Sequence, residues 1–408
     1  GDHYTPREVI RLLTSILLAE GCSDIFSEGR EVTVLDMACG TGGMLTVAQD
    51  RLMELAEKAG KKVSIHLFGQ EINPETYAIA KSDLLLQGQG DQADHIGFGS
   101  TLSNDQFPTY QFDFMLSNPP YGKSWKVDAD KLGGKKDIMD SRFVTNFAED
   151  PNFSMIPRTS DGQLLFLLNN VAKMKKTTEL GSRIAEVHNG SSLFTGDAGQ
   201  GESNARRYMI ENDLVEAIIA LPENMFYNTG IGTFIWILSN NKAEHRKGKI
   251  QLIDATSLKS PLRKNLGKKN CEFTSEIRRQ ILDLYMAFEE NEYSKIFDNN
   301  EFGYWKVTVL RPAYNEDGTI QRDKKGKPFV NKELTDTEQI PFTYEGGIEA
   351  FFEKEVKPFA PDAWIDEKQT KIGYEISFTK YFYKPIQLRT LEEITADIRS
   401  LEEETDGL

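Results

Sequence analysis

The sequence predicts an α/β fold in which a mostly parallel sheet carries a ligand site. Through the first 120 residues, short apolar runs of strand length alternate with longer segments of helical periodicity, an order that is typical of parallel sheets. Polar side chains directly follow four of the strand-like runs, and such strand ends are where ligands bind in open α/β sheets. These side chains are Asp36, Glu71, Ser100 and Asn118.

Each element of this fold is predicted from its own pattern. Helices are expected where apolar residues recur every three or four positions, at 8–19, 44–59, 74–86, 162–175 and 202–211. Strands are expected at apolar and β-branched runs, at 31–36, 66–72, 96–99, 112–116, 182–188, 214–221, 232–238 and 249–253. The polar segment 123–160 is longer than an ordinary connection, which predicts either a lid over the site or a disordered loop.

The region beyond residue 270 is predicted to be mainly helical, with helices at 273–288, 348–356 and 388–404. We therefore expect one large domain over 1–270, which includes the long loop 123–160, and a C-terminal region over 271–408. The helix 388–404 has apolar residues spaced three and four apart, as in a coiled-coil seam. It is interpreted either as a partner-binding helix or as an amphipathic helix packed on its own domain. The apolar residues are Leu391, Ile394, Ile398 and Leu401.

The charge of the chain limits its partners. The 408 residues carry a net charge of −15. A protein that binds nucleic acid unaided is usually basic, so a role on nucleic acid requires a local basic patch or a partner that supplies one. The segment 242–269 holds nine Lys or Arg residues against two Asp or Glu residues. Such a segment either follows a phosphate backbone or forms solvated loops.

The sequence predicts no membrane span, disulfide framework or structural metal. No apolar run approaches ~18 residues, and no signal peptide is visible. The cysteines Cys22, Cys39 and Cys271 are far apart, which fits a reducing cytoplasm, and the five histidines show no spacing suited to metal ligands.

A glycine-rich loop, Asp36-Met-Ala-Cys-Gly-Thr-Gly-Gly43, joins the first strand to the second helix. Its glycines allow the backbone to approach a ligand at a helix N-terminus. The dinucleotide fingerprint fails because Leu45 stands where the third glycine is required. Asp36 would repel a pyrophosphate and favour a ligand with an ammonium group. Glu71, at the end of the next strand, can accept hydrogen bonds from two ribose hydroxyls.

A second motif, Asn118-Pro119-Pro120-Tyr121, ends the strand at 112–116. The two prolines fix the turn and donate no N–H groups, so its carbonyls stay free to accept. Asn118 adds an amide oxygen and Tyr121 adds a flat ring. Rigid acceptors beside an aromatic ring suit a planar group that carries an amino group. The plainer alternative is a turn that the prolines merely stiffen.

The ordered set of motifs resembles the S-adenosylmethionine-dependent amino-methyltransferases of DNA. Three further segments narrow the resemblance to the modification (methyltransferase, M) subunit of type I restriction–modification systems, in the N6-adenine DNA methyltransferase family. They are Tyr4-Thr-Pro-Arg7, Asn189–Gly199 and Leu221–Ile231. The segments 361–366 and 373–378 are also similar to that family, so the resemblance covers nearly the whole chain.

The resemblance implies a Rossmann-like methyltransferase sheet of seven strands whose last strand runs antiparallel. It implies transfer of a methyl group from S-adenosyl-L-methionine to N6 of adenine in DNA. The implied partners are DNA, a specificity (S) subunit, a restriction (R) subunit and a second modification subunit, in a bacterial or archaeal cytoplasm. Members usually carry a helical domain before Tyr4-Thr-Pro-Arg7. Because the chain begins at Gly1, three residues before that motif, we expect this domain to be missing.

Roles for individual residues also follow from the resemblance. The catalytic residues would be Asn118, Pro119, Pro120 and Tyr121. Residues expected at the cofactor are Tyr4, Thr5, Pro6, Asp36, Ala38, Gly40, Thr41, Gly42, Gly43, Glu71, Ile72, Ser100, Thr101 and Asn118. The target adenine, flipped out of the duplex, would lie against Tyr121 and against Phe226 or Tyr227. Ser100 departs from the family, which commonly has Asp at this position in contact with the cofactor adenine.

Three alternatives remain open from the sequence. Glutamine-amide methyltransferases of proteins also use Asn-Pro-Pro-Tyr, because a planar amide fits the same acceptors. A cofactor-binding scaffold that is inert without its partners is the second alternative. Cytosine N4 methylation is the third, although such enzymes tend to place Ser at the position of Asn118.

Overall fold

The computed structural model describes residues 4–19, 27–385 and 388–406, with the side chains of 401–406 left undescribed, so Cys22 lies outside the described residues. The chain forms two compact units, Gly1–Ser377 and Phe378–Leu408. The predicted division at residue 270 stays a prediction.

The elements are numbered in chain order. The strands are β1 Glu31–Asp36, β2 Ser64–Glu71, β3 Ile96–Phe98, β4 Phe114–Ser117, β5 Val144–Phe147, β6 Asp150–Ser154, β7 Arg183–Asn189, β8 Val215–Ala220, β9 Thr233–Ser239, β10 Lys249–Asp254, β11 Ser260–Leu266, β12 Lys269–Glu272, β13 Ser294–Asp298, β14 Gly303–Leu310, β15 Asp336–Pro341, β16 Trp364–Ile365 and β17 Lys371–Tyr374. The helices are α1 Arg7–Leu17, α2 Gly43–Lys58, α3 Pro74–Leu86, α4 Gly90–Ala93, α5 Lys126–Lys131, α6 Gln163–Ala172, α7 Ser191–Phe194, α8 Gly201–Glu211, α9 Ser275–Ala287, α10 Gly347–Phe351, α11 Phe378–Tyr381 and α12 Leu391–Asp406.

A nine-stranded sheet forms the centre of the larger unit, in the order β13-β10-β8-β9-β7-β4-β1-β2-β3. Within the sheet, the neighbouring strands β3, β2, β1, β4 and β7 are parallel to one another. Strand β9 lies between β7 and β8 and runs antiparallel to both. The antiparallel last strand of the predicted methyltransferase sheet is therefore confirmed. Two further strands extend the sheet from seven to nine, because β10 pairs with β8 and β13 pairs with β10.

Burial of the central strands explains why their sequences read as apolar runs rather than alternating ones. Every residue of β4 and of β8 is buried, as expected when helices cover both faces of a parallel sheet. Helix α1 buries Val9, Leu12 and Ile16 in the main core, together with residues of α2 and α9. Each such side chain contributes about 1.5–3 kcal/mol by leaving water.

The long segment 123–160 is ordered, so the alternative of a disordered loop is wrong. It contains α5 and the β5–β6 hairpin. At its base, the Trp125 backbone donates to the Thr159 carbonyl at 2.9 Å, and the indole donates to the Arg158 carbonyl at 2.9 Å. The hairpin packs on α8, where the rings of Phe147 and Tyr208 lie 5.1 Å apart. The role as a lid stays a prediction.

The region beyond residue 271 contains the three predicted helices, as α9, α10 and α12, but it also contains strands that the prediction of a mainly helical region left out. It contains a four-stranded antiparallel sheet in which β14 pairs with β15 on one edge and with β16 and β17 on the other. Strand β15 was missed because it is polar. Strand β15 has the sequence Asp-Thr-Glu-Gln-Ile-Pro, and Ile340 is its one buried residue, so no apolar alternation marks it.

No helix in the described parts of the chain is long and apolar enough to cross a membrane.

Candidate active site

The residues at the carboxyl ends of β1, β2 and β4 lie at one edge of the central sheet. Strand β1 pairs in parallel with both β2 and β4, so the carboxyl ends of the three strands are neighbours. Asp36 ends β1, Glu71 ends β2, and Asn118 directly follows β4. The sequence-based expectation that these side chains gather at one edge is therefore met by the topology.

The glycine loop between β1 and α2 is held in place by the end of β2. One carboxylate oxygen of Glu71 accepts the Gly40 N–H at 2.9 Å, and the other accepts the Asn73 N–H at 3.0 Å. Gly40 and Gly42 have φ angles of 55° and 88°, which are left-handed values that favour glycine. The loop thus presents a fixed backbone surface at the N-terminus of α2.

Asp36 lies beneath this loop and is almost completely buried. Its Oδ1 accepts the Ala38 N–H at 3.1 Å. Burial raises the pKa of Asp36 to about 8, and the charges of Glu71 and Glu186 add to that effect. Carboxyl groups near one another in a low-dielectric site disfavour each other's ionisation, and a cationic ligand would favour their charged forms.

Asn118 presents a buried acceptor that nothing in the described protein satisfies. Its side-chain NH2 donates to the hydroxyl of Thr5 at 2.9 Å, while its Oδ1 is buried without a hydrogen-bond partner. A buried polar atom left unpaired costs about 1–3 kcal/mol, so such atoms in native proteins call for an explanation. A ligand that donates an N–H to Asn118 would supply the missing partner.

A buried polar network lies beneath the Asn118 turn. The carboxylate of Glu186 accepts from the Ser117 hydroxyl at 3.0 Å and the Asn170 amide at 3.1 Å, and it pairs with the His188 ring at 2.5 Å. Burial raises the pKa of Glu186. Sequence reasoning missed this network, although Glu186 and His188 are polar residues in the predicted central strand β7 and could have signalled it.

A carboxylate also reaches the position after β3, where the sequence carries Ser100. The hydroxyls of Ser100 and Ser103 both donate to Oδ1 of Asp128, at 2.6 and 2.5 Å. Asp128 belongs to α5, within the segment 123–160. It was not among the predicted site residues because it is 28 positions from Ser100 and carries no motif.

The model of one protein family, described as N-6 DNA methylase, matches residues 1–306. The chain belongs to the N-6 DNA methylase family. Among curated relatives, the methylase subunits of the type I restriction enzymes MjaIX and MjaVII of Methanocaldococcus jannaschii are similar to it. The first is 29% identical over 76% of this chain and 49% of the relative. The second is 31% identical over 74% of this chain and 47% of the relative.

The chain therefore spans about half the length of these curated relatives. A solved structure with a similar fold is the methyltransferase subunit of a type I restriction-modification system from Streptococcus thermophilus. It is 24% identical with a TM-score of 0.58, covering 74% of this chain and 57% of the other. The likeness supports the methyltransferase fold of this N-6 DNA methylase.

The predicted cofactor residues of this N-6 DNA methylase differ in their surroundings. Thr101 is buried, and its hydroxyl donates to the Met37 carbonyl at 2.5 Å, so it supports the glycine loop from below. Tyr4 and Ile72 are exposed, whereas Pro6 is buried. Ala38, Thr41 and Gly42 are half-buried on the loop and Gly43 is exposed at the start of α2.

The aromatic residues expected at the target base also differ. Tyr121 is half-buried, and burial raises its pKa to about 12. Pro119 is buried and Pro120 half-buried beside it. Phe226 is 1% exposed and belongs to the main core, whereas Tyr227 is 37% exposed. Of the last pair, only Tyr227 presents a ring surface to a ligand in this structure.

Proposed function

We propose that this chain is the methyl-transferring subunit of a type I restriction–modification complex and methylates N6 of adenine in DNA. The observation that carries the proposal is the buried, unpaired Oδ1 of Asn118 at the carboxyl end of β4. The family match favours this reading over methylation of a protein amide, because the matched model describes DNA methylases.

Methylation at N6 requires the protein to make the adenine amino group nucleophilic, because the lone pair of that group is delocalised into the ring. Oδ1 of Asn118 and the carbonyl of Pro119 would accept the two N–H groups, which localises the lone pair and aims it by positioning and electrostatics. Tyr121 would stack on the base, which must leave the duplex to enter the site, and Tyr227 would form the second wall.

The residues present fit S-adenosyl-L-methionine as the methyl donor. When bound, it supplies an electrophilic methyl group on a sulfonium. Asp36 and the carboxyl groups near it suit the positive charges of this donor, and Glu71 lies where it can accept the ribose hydroxyls while it holds Gly40. Ser100 and Asp128 would hold the adenine ring, with Asp128 supplying the carboxylate that Ser100 lacks.

The acidic chain would leave most DNA recognition to a specificity subunit. The described stripe of α12 is open for such a partner, because Leu391, Ile394 and Ile398 are 81%, 41% and 51% exposed. The side chain of Leu401 lies outside the described residues. We place a second modification subunit and a restriction subunit in the same complex, in the bacterial or archaeal cytoplasm. The names of the curated relatives, which are type I methylase subunits, support this assignment.

The decisive experiment measures transfer of labelled methyl from S-adenosyl-L-methionine to DNA, with and without the co-expressed specificity subunit. We expect label on adenine N6 only when that subunit is present. Label on protein, or no label despite clear cofactor binding, would overturn the proposal.

The variant Asn118→Ala tests the role of the unpaired acceptor. It should lower the transfer rate by about 10²-fold or more, as for other groups that stabilise charge in a transition state, with an unchanged Kd for the cofactor. Asn212→Ala, which changes an exposed asparagine after α8, is the matched control and should keep full activity. Wild-type turnover by Asn118→Ala would contradict the mechanism.

A further inference from the structure

A strongly basic hairpin stands out on this acidic chain. Residues 259–272, which form β11, its turn and β12, hold five Lys or Arg residues and one acidic residue, Glu272. The segment therefore carries a net charge of +4, within a chain of net charge −15. Such an island of positive charge creates a local attraction for anions.

Four of the five cations are exposed and form no ion pair with any described residue. They are Lys259, Arg263, Lys264 and Lys268. The fifth, Lys269, is buried and paired with Glu8, and it also donates to the carbonyls of Met225 and Cys271. Lys269 thus anchors the hairpin, while the other four leave their charge available to a partner.

A bulge turns two of these cations outward. Pro261 pairs with Cys271 and Leu266 pairs with Lys269, so the four residues 262–265 of β11 lie opposite a single residue of β12. Arg263 and Lys264 are in this bulge, and both are exposed. A bulge interrupts the strand ladder and redirects side chains.

The hairpin is joined to the loop that presents Tyr227. The Lys268 N–H donates to the Tyr227 carbonyl at 2.9 Å, and the Asn224 side chain donates to the Lys268 carbonyl at 3.0 Å. A Cβ at Gly267 would lie 2.5 Å from the Tyr227 carbonyl, so glycine permits this close approach.

The same hairpin is connected to Asn118 through the start of α1. Lys269 pairs with Glu8, and Thr5, three residues earlier, accepts from Asn118. A series of contacts therefore links the hairpin both to the loop of Tyr227 and to the side chain of Asn118.

We propose that the β11–β12 hairpin holds the DNA phosphate backbone beside the flipped adenine. The inference rests on the proposed function and adds the surface by which this subunit itself contacts the duplex. Lys and Arg side chains bind phosphates without reading sequence, and such contacts position the duplex relative to the site. Contacts next to Tyr227 would fix the strand at the point where the base leaves the stack.

The test compares the full chain with the variant R263Q/K264Q/K268Q. Binding of a fluorescein-labelled 30-base-pair duplex is measured between 25 and 150 mM KCl. Each lost phosphate contact lowers the slope of log K against log [KCl] by about 0.9, so the triple variant should lose about 2 to 3 from the slope. The variant K324Q/K325Q/K327Q removes three exposed charges from another turn and should keep the wild-type slope.

A second measurement tests the inference even if the triple variant does not fold. A photocrosslinking amino acid at Leu266, an exposed residue at the hairpin tip, should crosslink to the duplex, whereas one at Lys325 should not. A wild-type salt slope in the folded triple variant, or crosslinking of Leu266 to an added acidic protein but not to DNA, would overturn the inference. Cofactor binding and labelled-methyl transfer by the wild type, measured in parallel, report separately on the proposed function.

Discussion

At the scale of single residues, Asp36 and Asn118 are two acceptors that the fold buries before any ligand arrives. Asp36 is held by the N–H of Ala38, two residues further on, and Asn118 is held by the hydroxyl of Thr5, from a distant part of the chain. Fixed, desolvated acceptors need no reorganisation when a ligand donates to them. A cationic or N–H-bearing ligand that pairs with these acceptors therefore offsets the free-energy cost of burying them, and the site prefers such a ligand.

The raised pKa of Asp36 predicts a pH dependence of cofactor binding. With a pKa of about 8, the carboxyl is mostly protonated at pH 7, and a cationic ligand favours its ionised form. Affinity for S-adenosyl-L-methionine should therefore rise with pH, by up to about tenfold per unit below pH 8, and level off above. The measurement is the ratio of Kd values for Asp36→Asn and wild type by calorimetry from pH 6.5 to 8.5. A ratio that does not change with pH would rule out this linkage.

Asp128 is predicted to determine recognition of the cofactor's adenine. Its carboxylate accepts from Ser100 and Ser103, and hydrogen bonds to charged groups contribute about 1.5–3 kcal/mol. Asp128→Ala should raise the Kd for the cofactor about tenfold or more, with a smaller effect on an analogue that lacks the adenine amino group. Asp130→Ala, on the same helix α5 and exposed, is the matched control. Equal losses for both ligands would assign Asp128 a purely structural role.

At the scale of elements, α12 combines an exposed apolar stripe with an otherwise charged sequence. Ile394→Asp with Ile398→Asp should block assembly with the specificity subunit, because two charges would be buried in a helix–helix seam. Ala396→Asp with Ser400→Asp adds the same charge about 200° around the helix and should leave assembly intact. The readout is complex formation by size-exclusion chromatography, with circular dichroism to show that the chain stays folded. Normal assembly of the first variant would refute this placement.

Local signals explain which elements the sequence predicts well. The bounds of β1 and α3 were predicted to the residue, since β1 is a β-branched run and α3 begins with the cap Asn73 and Pro74 at its first position. The β5–β6 hairpin was missed because its turn places Ala148 and Glu149 at positive φ, where glycine or asparagine is the usual signal.

The site was predictable to the extent that its residues follow strand ends. Asp36, Glu71 and Asn118 were placed correctly at one edge because parallel strands share their carboxyl edge. Asp128 and Glu186 were not found, since each reaches the site from a different stretch of chain through contacts that no local pattern records. The choice between Phe226 and Tyr227 likewise required burial, which adjacent aromatic residues do not reveal.

At the scale of the whole molecule, opposite charges are separated in space. The chain carries −15 overall, while the exposed cations of residues 259–272 lie on a hairpin that is hydrogen-bonded to the loop of Tyr227. A net negative charge repels a duplex, and a basic island next to the site favours the orientations in which DNA approaches by that face. The proposed specificity subunit would then read the DNA sequence, and this chain would orient the duplex.

The position of β9 has a consequence for how the chain reaches its folded state. Because β9 fills the gap between β7 and β8, both of those earlier strands keep an unpaired edge until residues 233–239 have been synthesised. Unpaired apolar strand edges are prone to aggregation, and pairings between distant segments form slowly. A nascent chain that stops before residue 233 therefore cannot complete its sheet. The central sheet of such an interrupted product stays open at both of these strands.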